Sequence, residues 1–162
     1  MPGCGKSTVG VILAKTLGMD FIDTDLIIQL QQNEKLQALV NKYGPERFRE
    51  FEEQALLSVT AEKNTVLATG GSAVFCEKGM AHLKQHGVCV YLEVSCEELI
   101  RRLTNIKTRG IAAKKGMTVA DIFRERSPYY EKYADYRVKC DDMHIEDVVA
   151  KIIEEISGAG GL

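Results

Sequence analysis

The chain has 162 residues, 45% hydrophobic and 27% charged, with a formal net charge of -2 and an isoelectric point of about 6.0. That length suits one domain with a sizeable core, and so balanced a charge argues against a nucleic-acid binder. The five cysteines, Cys4, Cys76, Cys89, Cys96 and Cys140, are odd in number and lack a C-x-x-C spacing, which speaks against a disulfide framework or a zinc site and suits a reducing cytoplasm.

The first residues read MPGCGKST. They fit the end of G-x-x-x-x-G-K-[ST], a loop that cradles phosphates and follows a buried strand. Here the first glycine of the pattern falls one residue before Met1. The expectation is that Met1 is an internal methionine of a longer natural chain, in which a strand ending in Gly leads into this loop. If instead the chain is complete, the loop is poorly anchored and activity is weak.

From Ser7 to Leu17 the apolar spacing predicts a helix, stopped by Gly18. A short strand follows over Asp20–Asp23. Leu26 to Tyr43 is helical in two pieces around Asn33. Gly44-Pro45 breaks the pattern and restarts a helix that runs to about Lys63. Thr65–Thr69 is an apolar strand ending in Gly70-Gly71. Cys76 to His86 is a helix and Val88–Leu92 a strand. Ser95-Cys-Glu-Glu98 reads as a capping box for a helix to about Asn105. A Lys/Arg/Gly-rich segment spans 107–116. Thr118 starts a helix to about Ala134, Tyr136–Cys140 is a last strand, and His144–Ser157 is an amphipathic helix. Strands alternating with helices predict an α/β fold around a mostly parallel sheet. One domain is expected over 1–157, with a lid at about 107–118 and a flexible tail over 158–162.

The residue types in this frame point to phosphoryl chemistry. Glycine lets backbone N–H groups approach phosphate oxygens, Lys6 neutralises charge and Ser7 offers a hydroxyl to Mg²⁺. Asp23 and Asp25 follow a strand at the end where ligands bind in open α/β sheets. One suits a metal and the other a substrate hydroxyl, unless Asp23 only caps the next helix. Arg49 has Glu53 one turn on, a spacing that also makes plain surface ion pairs, and Glu52 could orient its guanidinium. Thr69-Gly-Gly-Ser72 reads by itself as a tight turn. Arg109 lies in the candidate lid, and Arg126 precedes a proline near a helix kink, where it can aim inward.

Taken together, GCGKST, FIDTD, FREFE, TGGS, TRGI and ERSPYYEKYAD resemble the shikimate kinase family of P-loop kinases, over residues 3 to 135. The resemblance implies a three-layer sandwich with helices on both faces of the sheet, the strand before the loop in mid-sheet, and ATP and Mg²⁺ as cofactors. It implies that Gly3, Cys4, Gly5, Lys6, Ser7 and Thr8 bind ATP, that Ser7 and Asp23 hold the metal, and that Asp25, Arg49, Gly70, Gly71 and Arg126 bind the substrate. Lys6, Asp25 and Arg109 become the catalytic set. The expected partner is a small acidic substrate, with no nucleic acid and no membrane, and the chain is expected to be monomeric. Two departures from the family pattern stand out: its third turn glycine is Ser72 here, and its R-P-L is Arg109-Gly110-Ile111. They favour one alternative, a kinase for gluconate or another hydroxylated acid; the absent strand before the loop favours a second, a weakly active nucleotide-binding regulatory module; and a nucleoside-monophosphate kinase fits the DTD and F-R-x-x-E pattern less well.

Overall fold

The computed structural model describes residues 1–60, 64–103, 111–114 and 116–158. Among the described residues, seven helices and four strands follow one another in the expected order. They are α1 (Lys6–Leu17), β1 (Asp20–Asp23), α2 (Thr24–Gln32), α3 (Leu36–Ser58), β2 (Thr65–Ala68), α4 (Glu77–Lys84), β3 (Val90–Glu93), α5 (Cys96–Arg102), α6 (Val119–Tyr133), β4 (Tyr136–Lys139) and α7 (Ile145–Gly158). A 3₁₀ turn at Ala73–Phe75, which the sequence did not announce, precedes α4.

Every strand pairing is parallel, but the ladder comes in two halves. β1 pairs with β2 from Asp20↔Thr65 to Asp23↔Ala68, and β3 pairs with β4 from Val90↔Tyr136 to Glu93↔Lys139. Among the described residues no strand is hydrogen-bonded between β2 and β3. The first residues of the chain lie between the halves. The Met1 side chain joins the core cluster of Tyr91, Leu92 and Val94. A Cβ on Gly71, beyond β2, would meet Pro2 Cδ at 3.2 Å, and one on Gly3 would meet Leu103 Cγ, beyond α5, at 2.8 Å. Helix α1 touches β1, β2 and α7, and α7 touches β4, so the helices bridge what the ladders do not.

Local chemistry explains where element ends differ from the sequence reading. Asn33 takes a left-handed conformation (φ 50°) and separates α2 from α3 as expected. Gly44 (φ 77°, ψ 168°) bends α3 just before Pro45. The second part of α3 stops at Ser58 rather than near Lys63, because Val59 turns extended and its carbonyl lies 2.9 Å from the His82 ring. β3 starts at Val90 rather than Val88: the Cys89 carbonyl accepts the amides of Asp135 and Tyr136, and the Asp135 carboxylate takes the Cys89 amide. Only half of the capping box at Ser95 forms. Its hydroxyl accepts from Glu98 N, but its own amide goes to Asp141, and the Glu98 carboxylate turns to Arg101 and Arg102. The reciprocal box forms instead at Thr118 and Asp121. Gly158 closes α7 as part of the helix; residues 159–162, most of the expected tail, lie outside the described residues, as do residues 107–110 and 115 of the expected lid.

The amphipathic face of α7 is buried through Val148, Val149, Ile152 and Ile156. It belongs to one cluster with Val9 and Leu13 of α1 and Val138 of β4. A second cluster joins Ile28 of α2 to Leu39, Phe48, Phe51 and Ala55 of α3. Helices α3 and α4 approach closely at a small residue. A Cβ added to Gly79 would lie 2.6 Å from Leu56 Cδ1 and 2.8 Å from Leu56 Cβ, and Leu56 is fully buried. Gly79→Ala is therefore expected to lower stability by about 1–3 kcal/mol, read as a lower urea midpoint. An unchanged midpoint would mean that α3 and α4 part without cost.

Candidate active site

The loop ahead of α1 owes its shape to two glycines, Gly3 (φ 78°) and Gly5 (φ 94°), in the left-handed region that side chains rarely adopt. Gly5 is the N-cap of α1, and no side chain caps the helix. The first-turn N–H groups and the positive end of the helix dipole therefore face whatever enters the loop, the arrangement that binds anions. Gly3, Gly5, Lys6, Ser7 and Thr8 line a cleft of about 230 Å³. Lys6 Nζ donates to the Met1 carbonyl at 2.8 Å, an internal contact a phosphate oxygen can replace. Cys4 differs from its neighbours. Its side chain is buried with Sγ 3.9 Å from Lys6 Nζ, so only its backbone is available to a phosphate.

The other end of the cleft is built from three elements. Asp23 is the N-cap of α2, and its Oδ1 accepts the Asp25 amide at 2.9 Å. Asp25 lines the cleft. Burial, then the neighbouring Asp23 charge, raises its pKa, with Lys6 pulling the other way. Thr24, between them, is buried, and its hydroxyl accepts the Gly70 amide at 3.1 Å. This fixes the turn after β2. The Gly71 carbonyl accepts from Arg126 and from the Tyr130 hydroxyl, both at 2.7 Å. Thr69, Gly71 and Ser72 line the cleft, so this segment is more than a tight turn.

The two arginines predicted to clamp a carboxylate come together around one ring. The Arg49 guanidinium carbon lies 4.3 Å from the centroid of Phe75, and that of Arg126 lies 5.5 Å from it. Arg126 is 1% exposed, and its remaining terminal nitrogen donates to the Ala112 carbonyl. Arg49 Nε and Arg126 Nε are buried and without a hydrogen-bond partner. Such orphaned donors are rare in folded proteins and call for an acceptor. Among the described residues no ion pair joins Arg49 to Glu53, and Glu52 does not turn to Arg49. Glu52 instead accepts from the Ser72 hydroxyl at 2.5 Å. Arg109 lies outside the described residues.

The sequence reading missed Thr24, Phe48, Phe75, Ala112 and Tyr130. Phe75 and Tyr130 were visible only as aromatic residues beside motifs, and no local pattern tells such rings from ordinary core. Among the described residues no cluster of three or more His, Cys, Asp or Glu side chains could hold a metal. A Mg²⁺ ion would therefore need the oxygens of its phosphate ligand, as is usual for this ion. No helix among the described residues is long and apolar enough to cross a membrane.

Glu52 is 2% exposed. Burial and the nearby Asp25 charge push its carboxyl up to about 7, although Ser72 and Arg126 favour the charged form. A folded-state value above the ordinary 4.5 means that folding favours the protonated acid. That stabilisation is complete below about pH 4.5 and is lost as the pH rises through about 7. Relative to the wild type, Glu52→Gln should gain up to about 3 kcal/mol of unfolding free energy between about pH 5 and pH 8. Parallel stability–pH curves would mean that Glu52 keeps an ordinary pKa.

Comparison with known proteins agrees with this geometry. The family described as "Shikimate kinase" matches residues 2–157. Over 155 residues the chain is 34% identical to a shikimate kinase of Thermodesulfovibrio yellowstonii, covering 94% of this chain and 89% of that protein. It is 35% identical over 154 residues to one of Vibrio parahaemolyticus, covering 94% and 90%. Among solved structures, it is similar to the shikimate kinase from Acinetobacter baumannii in complex with shikimate, with a TM-score of 0.87, 31% identity and coverage of 99% and 90%. The Aquifex aeolicus enzyme superposes with a TM-score of 0.84 at 28% identity, covering 100% and 96%. The match over residues 2–157 and relatives 34–35% identical over 94% of the chain show that it belongs to the shikimate kinase family.

Proposed function

We propose that this chain transfers the γ-phosphoryl group of ATP to a ring hydroxyl of shikimate, giving 3-phosphoshikimate and ADP. The observation that carries the reading is the pair of buried, unpartnered guanidinium N–H groups on Arg49 and Arg126. Arg126 lines the same cleft as the anion-binding helix terminus, and Arg49 shares the Phe75 ring with it. A neutral sugar would leave both donors orphaned, whereas a carboxylate satisfies them with charge-assisted bonds.

In this reading the loop amides of Gly3 to Thr8 and the Lys6 ammonium hold the β- and γ-phosphates. The acceptor hydroxyl attacks phosphorus in line, the bond from phosphorus to the bridging oxygen of ADP breaks, and the hydroxyl proton passes to Asp25. Burial raises the pKa of Asp25, which makes it a better acceptor than a surface carboxylate. Gly70 and Gly71 bring backbone close to the acid. A Cβ on Gly70 would collide with Glu52 Oε1 at 2.6 Å and Asp25 Oδ1 at 2.7 Å. Ser7 and Asp23 are the residues that would hold Mg²⁺, which when bound neutralises phosphate charge. Arg109 would stabilise the transferring group. Positioning and charge neutralisation account for the catalysis, because phosphoryl transfer needs little covalent help. The odd, unpaired cysteines suit action in the cytoplasm.

The Ser72 departure does not favour gluconate or another acid. Its hydroxyl is engaged by Glu52 and is not free to select a new substrate group.

The test is shikimate-dependent ADP release in the presence of Mg-ATP. Saturable turnover supports the reading; ATP binding without acceptor-dependent turnover would point to a regulatory module. Lys6→Ala should abolish transfer, and normal turnover in that variant would refute the phosphate-loop assignment. Arg49→Ala should raise KM for shikimate roughly ten- to a hundredfold, the loss expected for hydrogen bonds between charged groups, and leave KM for ATP nearly unchanged. An equal loss of both would make Arg49 structural.

A further inference from the structure

The reading above gives Ser72 no role, yet the structure gives it a buried and specific one. Ser72 is 2% exposed. It is the N-cap of the 3₁₀ turn Ala73–Phe75, but its hydroxyl does not cap that turn. It points to α3, where it donates to Glu52 Oε2 at 2.5 Å. The other Glu52 oxygen and Asp25 Oδ1 converge on one point above Gly70, 2.6 and 2.7 Å from the place where a Cβ would stand. Two carboxylates from α2 and α3 are therefore packed together against Gly70, and both line the cleft.

We propose that Ser72 is a positioning residue for the acceptor: by donating to Glu52 Oε2 it orients that carboxylate and favours its charged form, so that Oε1 and Asp25 together accept the hydroxyls of the substrate. This rests on the hydroxylated-acid acceptor argued above.

The groups around Glu52 make the hydroxyl decisive. Asp25 from α2 repels the Glu52 charge, as does burial, while Arg126 from α6 favours it. Tyr130 from α6 stays neutral, held well above the usual phenol range by burial. Cys76, at the start of α4, stays a thiol, pushed up to about 12 by burial and by Glu52 itself. With these groups present the Glu52 carboxyl sits near 7. Ser72 donates to its charged form, so removing the hydroxyl must raise that value further. At neutral pH the pocket would then hold mostly the neutral acid, a competing donor, where the wild type keeps about half of Glu52 as an anionic acceptor.

The test compares the full-length wild type with Ser72→Ala by ADP release across pH. Ser72→Ala should raise KM for shikimate roughly tenfold near neutral pH, a loss typical of a hydrogen bond to a charged group. KM for ATP should stay unchanged. The acid limb of kcat/KM for shikimate should move up by about one pH unit, and the defect should shrink in alkaline solution, where Glu52 ionises without help. In a Glu52→Gln background, Ser72→Ala should no longer shift the limb. Should Ser72→Ala fold poorly, Ser72→Cys keeps the shape with a weaker donor and should give a smaller shift in the same direction.

A readout independent of turnover is the carboxyl-carbon NMR titration of Glu52 in the free protein. Its midpoint should rise in Ser72→Ala. An unmoved midpoint, or a loss of kcat/KM equal at every pH, would overturn the proposal. A wild type that releases no ADP with shikimate would overturn the acceptor reading and this proposal together. An active wild type matched by Ser72→Ala at every pH would overturn this proposal alone.

Discussion

One carbonyl holds the acceptor half of this molecule in shape. Gly71 O receives two hydrogen bonds from side chains one helical turn apart on α6, the Arg126 guanidinium and the Tyr130 hydroxyl. Both donors are buried, where a lost partner costs about 1–3 kcal/mol. Because the turn is pinned there, the Gly70 amide reaches Thr24, and Thr24 keeps Asp23 and Asp25 in register with the end of β2. Tyr130 is itself seated by Tyr91 of β3, its ring stacked at 5.3 Å. The C-terminal strand pair thereby steadies a turn that belongs to the N-terminal pair.

The charges at this end are arranged so that none is comfortable without a ligand. Two carboxylates, Asp25 and Glu52, have raised pKa values. Two guanidinium groups keep an unpartnered N–H, and burial lowers the pKa of Arg126. Among the described residues the opposite charges do not form ion pairs that would quench them. Under the proposed function, a polyhydroxylated anion would relieve these unfavourable electrostatics, its carboxylate on the arginines and its hydroxyls on the acids. The phosphate end follows the same logic more simply, with glycine geometry and a helix terminus replacing side-chain charge.

The phosphate loop, the Asp23–Asp25 pair and Arg126 were legible because their chemistry lies within a few residues of sequence. The helix break at Gly44-Pro45 and the division at Asn33 were legible for the same reason: both are local backbone constraints. What escaped were contacts across the chain. Thr24 binds an amide 46 residues away and Ser72 a carboxylate 20 residues away, and no periodicity carries that information. The capping box at Ser95 shows the limit of a local rule. Both residue types were right, but Asp141 and the two arginines outcompeted the reciprocal bond. Ser72 looked like a change of substrate preference in sequence, whereas in space its hydroxyl belongs to a protein carboxylate.

The division of the strands into two parallel pairs bears on how the chain folds. Each pair is assembled from one continuous stretch, residues 20–68 and 90–139, so each can form with its intervening helices before the other. What joins them includes the contact of α1 with α7, helices from opposite ends of the sequence. That contact closes the longest loop in the molecule and carries the largest chain-entropy cost. The glycine loop is the leading edge of α1, so an anion held at its tip would steady a helix that contacts β1, β2 and α7.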